Sequence, residues 1–101
     1  MKTVMVRYKT KDDAAEQNAK LIHAVFDELR AKMPTGLRYA TFKLADGVSF
    51  VHLATIDTPD GVSPLDFISA FKLFAQGVKD RCVEPPVLTE LLALDAYGVI
   101  P

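Results

Sequence analysis

The chain has 101 residues, 50% of them hydrophobic and 25% charged, and a formal net charge of −1. This length allows one domain spanning residues 1–101, and the apolar fraction excludes a disordered chain. The near-neutral charge offers no electrostatic basis for binding nucleic acid or an anionic membrane. No stretch approaches the roughly 20 apolar residues that span a bilayer, and the single cysteine excludes an internal disulfide. We therefore expect a cytoplasmic protein without nucleic-acid or membrane partners.

The first third of the chain predicts a strand followed by an amphipathic helix. Thr3–Lys9 is short, β-branched and partly alternating, as strands are. Asp13 stands three residues before Glu16, which predicts a capping box at the start of the helix. Apolar residues then recur at helical spacing on one stripe: Leu21, Ile22, Val25, Phe26, Leu29 and Met33. Pro34 and Gly36 end this predicted helix.

The middle of the chain predicts a hairpin. Leu37–Leu44 and Val48–Ile56 read as strands around Asp46-Gly47, a dipeptide typical of the two-residue type I′ turn. That turn sets the register, and alternation separates the side chains into two faces. The predicted pairs are Ala45 with Val48, Phe42 with Val51, Ala40 with Leu53 and Thr41 with His52. One face carries Ala40, Phe42, Leu44, Val51 and Leu53, and the other carries Leu37, Tyr39, Thr41, Lys43, Phe50, His52 and Ala54.

The last third predicts a second helix and a final strand. Ser63-Pro64-Leu65-Asp66 is a helix start, with a hydroxyl at the N-cap and proline in the first turn. The apolar stripe of this helix is Phe67, Ile68, Phe71, Phe74, Ala75, Val78 and Cys82. Pro85-Pro86 end the helix, and Val87–Ile100 predicts a long apolar strand that bends or bulges between Ala96 and Gly98.

The element order is β-α-β-β-α-β, which predicts a ferredoxin-like α+β fold. Right-handed crossovers place both helices on one face of a four-stranded antiparallel sheet. The other face has no cover within the chain, although strand residues such as Val4 and Met5 are apolar on both faces. We therefore predict a homodimer that packs the open sheet faces together, with the last strand crossing to the partner.

Three segments extend this pattern to nearly the whole chain: DDAAEQNAKLIHAVFDEL, RYATFKLADGVSFVHLA and FKLFAQGVKDRCVEPPV. With the element order, they resemble the dimeric α/β-barrel superfamily, and within it the small antibiotic-biosynthesis-monooxygenase-like proteins. The resemblance implies a dimeric α/β barrel with outer helices and a pocket between sheet and helices in each subunit. Some relatives oxidise polyketide-type aromatics without metal or flavin, and some degrade haem. Several active relatives use a tryptophan with an asparagine and a histidine, whereas this chain has no tryptophan.

Asn18 is the first candidate catalytic residue. At about 100° per residue it falls in the middle of the first apolar stripe, which predicts that its amide points toward the sheet. Such an amide would donate a hydrogen bond to a bound carbonyl or oxyanion. Alternatively, it is a core amide tied to a strand end or to loop backbone. Both interpretations stay open on the sequence.

His52 is the second candidate catalytic residue, as a general base. The predicted fold favours another interpretation, in which its face meets the partner subunit and the ring bonds to Thr41 or to backbone. His23 projects away from its helix stripe, toward solvent. Two isolated histidines without acids at ligand spacing form no metal site, and we expect no metal or other cofactor.

Four aromatic residues are candidates for lining a ligand pocket: Tyr39, Phe67, Phe71 and Phe74. A flat aromatic ligand would suit them, and core packing explains them as well. The resulting hypothesis is a cofactor-independent monooxygenase-like enzyme acting on a small aromatic or polyketide-like molecule. Asn18 would orient the substrate oxygen, and His52 or a tyrosine would move protons. The alternative is a non-catalytic dimer that binds a small hydrophobic molecule or only stabilises an assembly.

Overall fold

A computed structural model describes residues 1–99, which fold into four strands and two helices. These elements are β1 (Lys2–Thr10), α1 (Ala15–Lys32), β2 (Leu37–Lys43), β3 (Ser49–Ile56), α2 (Ser69–Gly77) and β4 (Cys82–Leu91). The strands form an antiparallel sheet in the order β2-β3-β1-β4. The predicted ferredoxin-like fold is thereby confirmed.

The β2–β3 hairpin has the predicted register but a different turn. Three of the four predicted pairs are present: Phe42 with Val51, Ala40 with Leu53 and Thr41 with His52. The predicted pair of Ala45 with Val48 is wrong, because both residues lie in the loop between β2 and β3. The type I′ turn is wrong, because Gly47 has positive φ and Asp46 does not. Leu44 and Ser49 instead close a four-residue loop, in which the Asp46 carboxylate accepts bonds from the Val48 and Ser49 amides. Both loops are centred on the same peptide bond, so the register is unchanged.

The start of α1 also differs from its prediction. A 3₁₀ turn at Asp12–Ala14 precedes the helix, and no side chain caps either element, so the capping box of Asp13 is wrong. The end of α1 lies where it was predicted. Met33 adopts the left-handed conformation there, and its N–H donates to the Leu29 carbonyl.

The second helical region is broken into two parts. Ser63 accepts a hydrogen bond from the Leu65 amide, as a cap should, but it starts the 3₁₀ turn Pro64–Phe67. The chain is extended at Ile68, and α2 begins only after it. This break interrupts the predicted stripe and leaves Phe67 exposed.

The last strand is shorter than predicted and begins earlier. β4 starts at Cys82, which is therefore not on a helix stripe. Pro85 and Pro86 lie within β4, where they are tolerated because this edge strand pairs only with β1. The chain leaves the sheet after Leu91, and the predicted end at Ile100 lies outside the described residues. Four apolar side chains of this last segment are exposed: Leu92, Leu94, Tyr97 and Val99.

The core lies between the helices and one face of the sheet. Its buried members are Tyr8, Ile22, Val25, Phe50, Leu65, Ile68, Phe74 and Val78. His52 belongs to this covered face, so the prediction that its face meets a partner subunit is wrong. The ring nitrogens of His52 have their hydrogen-bond partners, Tyr8, Tyr39 and Thr41, within this covered layer. The opposite face, with Phe42 and Leu53, is uncovered within the described chain.

Candidate active site

A cavity of about 310 Å³ lies between the covered face of the sheet and α2. Its aliphatic wall comes from three strands and α2, and includes Val4, Val6, Ala54, Ile56, Ala75, Val78 and Leu88. The polar residues of the lining are Tyr8, Tyr39, His52, Ser63 and Asp66. A volume of this size is at the lower end for small-molecule sites, and an apolar wall with a few polar groups is their usual composition.

Three of the four predicted pocket aromatics line this cavity: Tyr39, Phe71 and Phe74. Phe67 does not, and the prediction that it lines the pocket is wrong. It is 72% exposed because the extended backbone at Ile68 separates its 3₁₀ turn from α2. The cavity therefore has two phenylalanines from α2 opposite a tyrosine from β2.

His52 forms the polar centre of the site. Its ring is buried on β3, with Nε2 2.8 Å from the Tyr8 hydroxyl oxygen. Its Nδ1 lies 2.5 Å from the Tyr39 hydroxyl and 3.2 Å from the Thr41 hydroxyl. Burial lowers the pKa of His52 to about 4, so the ring is neutral near pH 7. The predicted bond to Thr41 is thus present, but in the core.

The two phenols beside His52 are protonated at neutral pH. Burial raises the pKa of Tyr39 to about 12. Burial also raises the pKa of Tyr8, although the hydrogen bond from Asn18 acts in the opposite direction. Both hydroxyl groups are therefore available as hydrogen-bond donors around a neutral imidazole.

A buried polar chain continues behind Tyr8 and ends at an arginine. Asn18 donates from Nδ2 to the Tyr8 hydroxyl at 2.8 Å, and its Oδ1 accepts from Arg81 Nε at 3.0 Å. Arg81 also donates to the Phe74 carbonyl at 2.9 Å, and its guanidinium carbon lies 5.2 Å from the centre of that ring. Neither of the two salt bridges found within residues 1–99 includes Arg81. Burial lowers the pKa of this guanidinium.

The predicted direction of Asn18 is confirmed, since its side chain is fully buried and reaches β1. It does not line the cavity, which it approaches only through Tyr8. Its partners are two side chains, whereas the structural interpretation expected a strand end or loop backbone. Asn18 can therefore influence a ligand in this cavity only indirectly, through Tyr8 or through Arg81 and Phe74.

Sequence patterns did not point to Arg81 or to the role of Tyr8. An arginine after a helix is normally exposed, whereas Arg81 is 8% exposed. One available signal was Gly77, a glycine at the end of an apolar stripe and four residues before Arg81. Glycine in a helical pattern is unfavourable and often has a packing reason.

No group of three or more histidine, cysteine, aspartate or glutamate side chains within residues 1–99 is arranged to hold a metal ion. In the same part of the chain, neither helix has the length and apolar character needed to cross a membrane.

Comparison with known proteins identifies the fold. No protein-family model matches the chain, and no curated protein matches its sequence. Rv0793 from Mycobacterium tuberculosis superposes with a TM-score of 0.75 at 21% identity, over 96% of this chain and 98% of that one. A proposed antibiotic biosynthesis monooxygenase from Nitrosomonas europaea superposes with a TM-score of 0.75 at 18% identity, over 94% of this chain and 100% of that one. SnoaB, a cofactor-independent oxygenase from Streptomyces nogalater, superposes with a TM-score of 0.69 at 13% identity, over 97% of each chain.

The architecture is that of a ferredoxin-like α+β protein with an apolar cavity between the sheet and α2. More specifically, the fold is the one found in Rv0793, in proposed antibiotic biosynthesis monooxygenases and in SnoaB. At these identities the likeness concerns the fold, so the reaction must be argued from the site.

Proposed function

We propose that the protein is a cofactor-independent monooxygenase-like enzyme acting on a small aromatic, polyketide-like molecule. One observation carries this proposal: a neutral imidazole, His52, contacts the hydroxyls of Tyr8 and Tyr39 at the wall of an apolar cavity. The similarity in fold to SnoaB, a cofactor-independent oxygenase, supports the same class.

The cavity suits a flat ring that carries an oxygen. Phe71 and Phe74 offer apolar surface to the ring, and Tyr39 offers a hydroxyl to its oxygen. The apolar wall lowers the polarity around a bound ring, which strengthens hydrogen bonds made there. A phenol or enol bound there would be held with its oxygen beside Tyr39 and His52.

The proposed chemistry uses an acidic C–H group conjugated with that oxygen, as the CH₂ group of anthrone is. The substrate passes its proton to water at the open side of the cavity, because both ring nitrogens of His52 already have hydroxyl partners. Hydrogen bonding from the Tyr39 hydroxyl stabilises the enolate or phenolate that remains. Dioxygen then oxidises the electron-rich ring: the CH₂ carbon becomes C=O, and its two hydrogens leave with the second oxygen atom as water. The substrate supplies the electrons, so this reaction requires neither metal nor flavin.

Oxygen consumption tests the proposal directly. The purified protein would be given phenol, 1-naphthol or anthrone, with protein-free solutions as blanks because such compounds oxidise slowly by themselves. We expect accelerated conversion of anthrone to anthraquinone with one O₂ consumed for each product. His52→Gln should lose most of this rate, whereas Phe67→Leu, on the exposed 3₁₀ turn, should retain it. Absence of acceleration with all three compounds would contradict the oxygenase proposal.

The second candidate function is non-catalytic binding of a small hydrophobic molecule. One observation favours it: both ring nitrogens of His52 already have hydroxyl partners within the protein. Saturable binding of the same three compounds without oxygen consumption would support this candidate.

We also propose that a second copy of the chain covers the open sheet face. This face carries apolar side chains from all four strands, including Met5, Ala40, Phe42, Val51, Leu53 and Val87. Phe42 and Val87 are 53% and 61% exposed, which is costly for a soluble monomer. The exposed apolar side chains of residues 92–99 lie beside the same face, across a concavity of about 670 Å³.

A further inference from the structure

The polar chain from Arg81 to His52 has a defined hydrogen-bond direction. A guanidinium only donates hydrogen bonds, so the Asn18 atom 3.0 Å from Arg81 Nε must be the carbonyl oxygen. The amide nitrogen of Asn18 therefore faces Tyr8 and donates to its hydroxyl oxygen at 2.8 Å. The orientation of this buried amide follows from the chemistry of its arginine partner.

The hydrogen bond from Tyr8 fixes the tautomer of His52. Tyr8 is 2% exposed, so its hydroxyl proton needs an acceptor inside the protein. Besides Asn18, the hydroxyl has one partner in the described chain, His52 Nε2 at 2.8 Å. A proton on Nε2 would leave the Tyr8 proton buried and unpaired, which is unfavourable. Nε2 is therefore the acceptor, and neutral His52 carries its proton on Nδ1.

The tautomer of His52 determines the hydrogen bonding of Tyr39 at the cavity wall. Nδ1–H donates to the Tyr39 hydroxyl oxygen at 2.5 Å, with the Thr41 hydroxyl as a second acceptor at 3.2 Å. The Tyr39 oxygen thus receives a bond, and its own proton is free to be donated elsewhere. Tyr39 lines the cavity, so an oxygen bound there is placed to accept that proton.

We propose that Arg81, Asn18 and Tyr8 hold His52 in its Nδ1–H tautomer, and that Tyr39 thereby donates its hydroxyl proton to an anionic oxygen of a phenolate or enolate ligand. Arg81 and Asn18 are positioning residues, since neither lines the cavity. The buried charge of Arg81 polarises every bond of the chain in the same direction. This inference rests on the cavity of the proposed function and adds the class of ligand and the residue that recognises it.

Asn18→Asp tests the direction of the chain with almost no change in size. An aspartate accepts from Arg81 and from Tyr8, so the Tyr8 oxygen must then accept from His52. The imidazole would change to its Nε2–H tautomer, and the Tyr39 proton would turn toward Nδ1. Nitrogen NMR of labelled protein distinguishes the two tautomers. We expect Nδ1–H in the wild type and Nε2–H in Asn18→Asp; an Nε2–H wild type would overturn the proposal, whatever its oxygenase activity.

Binding of 4-nitrophenolate, followed by its visible absorbance above the pKa of the phenol, tests the ligand. We expect Asn18→Asp and Tyr39→Phe each to raise its Kd about 10- to 100-fold, as for loss of a charge-assisted hydrogen bond. The double variant should bind no more weakly than Tyr39→Phe, because both changes remove the same bond. Tyr97→Phe, at a fully exposed tyrosine, is the matched control and should leave the Kd unchanged.

Several results would overturn this inference. The first is a Tyr39→Phe variant that binds 4-nitrophenolate with the wild-type Kd. The second is a double variant in which the losses of affinity of the two single variants add. The third is a wild type that has the Nδ1–H tautomer but does not bind 4-nitrophenolate. If Asn18→Asp does not fold, Tyr8→Phe replaces it and should leave the ring without one fixed tautomer. Normal binding and tautomer without oxygen consumption would contradict the oxygenase alone and leave this inference standing.

Discussion

Arg81 occupies a space that exists because residue 77 is glycine: a Cβ at Gly77 would lie 2.8 Å from Arg81 Nη1. Gly77 is the last residue of α2, and Arg81 ends the 3₁₀ turn that follows. The guanidinium folds back over the end of the helix to reach Asn18 and the Phe74 carbonyl. The glycine and the polar chain under Tyr8 are therefore parts of one arrangement.

Gly77→Ala should destabilise the protein, opposite to the usual effect. Replacing a helical glycine by alanine normally stabilises by up to about 1 kcal/mol. Here the methyl group displaces Arg81 and leaves the buried Asn18 oxygen without its donor, which costs about 1–3 kcal/mol. Urea denaturation measures the difference. In an Arg81→Met background the same substitution should be neutral or stabilising, and a more stable Gly77→Ala in the wild-type background would contradict the assignment.

The stability of the protein should fall as the pH drops from 6.5 toward about 4. Burial lowers the pKa of His52 from 6.5 to about 4, so in this range the unfolded chain binds the proton more readily. Acid therefore favours unfolding, by up to about 1.4 kcal/mol per pH unit, and this stability is fully present above pH 6.5. Denaturation at several pH values measures the slope. The His52→Asn variant should lack this slope, whereas His23→Asn, at an exposed histidine, should keep it. A wild-type stability that does not change between pH 6.5 and about 4 would refute the prediction.

Glu28 of α1 should be a main stabilising contact for the start of α2. Its carboxylate accepts bonds from the Ser69 and Ala70 amides, the Ser69 hydroxyl and Lys32. The bonds from Lys32 and Ala70 are the main causes that lower its pKa from 4.5 to about 2. The stabilisation is present above pH 4.5 and is lost as the pH falls toward about 2.

Glu28→Gln should therefore lower the stability at neutral pH and weaken its dependence on pH between 4.5 and about 2. Thermal unfolding in acid and at neutrality measures both effects. Asp27→Asn is the matched control, because the pair of Asp27 with Arg30 is exposed and contributes little. Equal effects of the two substitutions would show that the contact of Glu28 with α2 is unimportant.

Phe67 and Phe74 should respond very differently to truncation. Phe74 is 5% exposed, lines the cavity and accepts the Arg81 bond at its carbonyl, whereas Phe67 is 72% exposed. Phe74→Ala should cost about 3–5 kcal/mol, the range for removing a buried aromatic ring. Phe67→Ala should change the free energy of unfolding by less than about 0.5 kcal/mol. Chemical denaturation of the two variants measures both changes. Similar losses of unfolding free energy would show that Phe67 belongs to the core.

The open sheet face should lose its partner when it is charged. Phe42→Glu places a carboxylate in the middle of that face, where a second copy would have to bury it. Light scattering after size-exclusion chromatography should show a dimeric wild type and a monomeric variant. Phe67→Glu, on the helix layer, should remain dimeric. A monomeric wild type, or a Phe42→Glu dimer, would refute the proposed interface.

Local patterns were sufficient to predict most of the fold. The order of the elements, the hairpin register and the inward direction of Asn18 all follow from side-chain periods of two and 3.6 residues. Local rules failed where two conformations satisfy the same pattern. Asp46-Gly47 permits two loops of equal register, and Ser63 caps a 3₁₀ turn as readily as a helix.

The candidate site was only partly predictable for a physical reason. Alternation divides the strand residues into two faces, but both faces here are apolar, so only the packing of the helices decides which one is covered. The polar chain joins side chains that are distant in sequence: Asn18 to Arg81 across 63 positions and Tyr8 to His52 across 44. No periodicity encodes such pairs, because the crossing of separate elements creates them. Residue periodicity thus determined the scaffold and buried Asn18, whereas tertiary packing alone joined Asn18 to Tyr8 and Arg81 and placed His52 on the covered face beside the cavity.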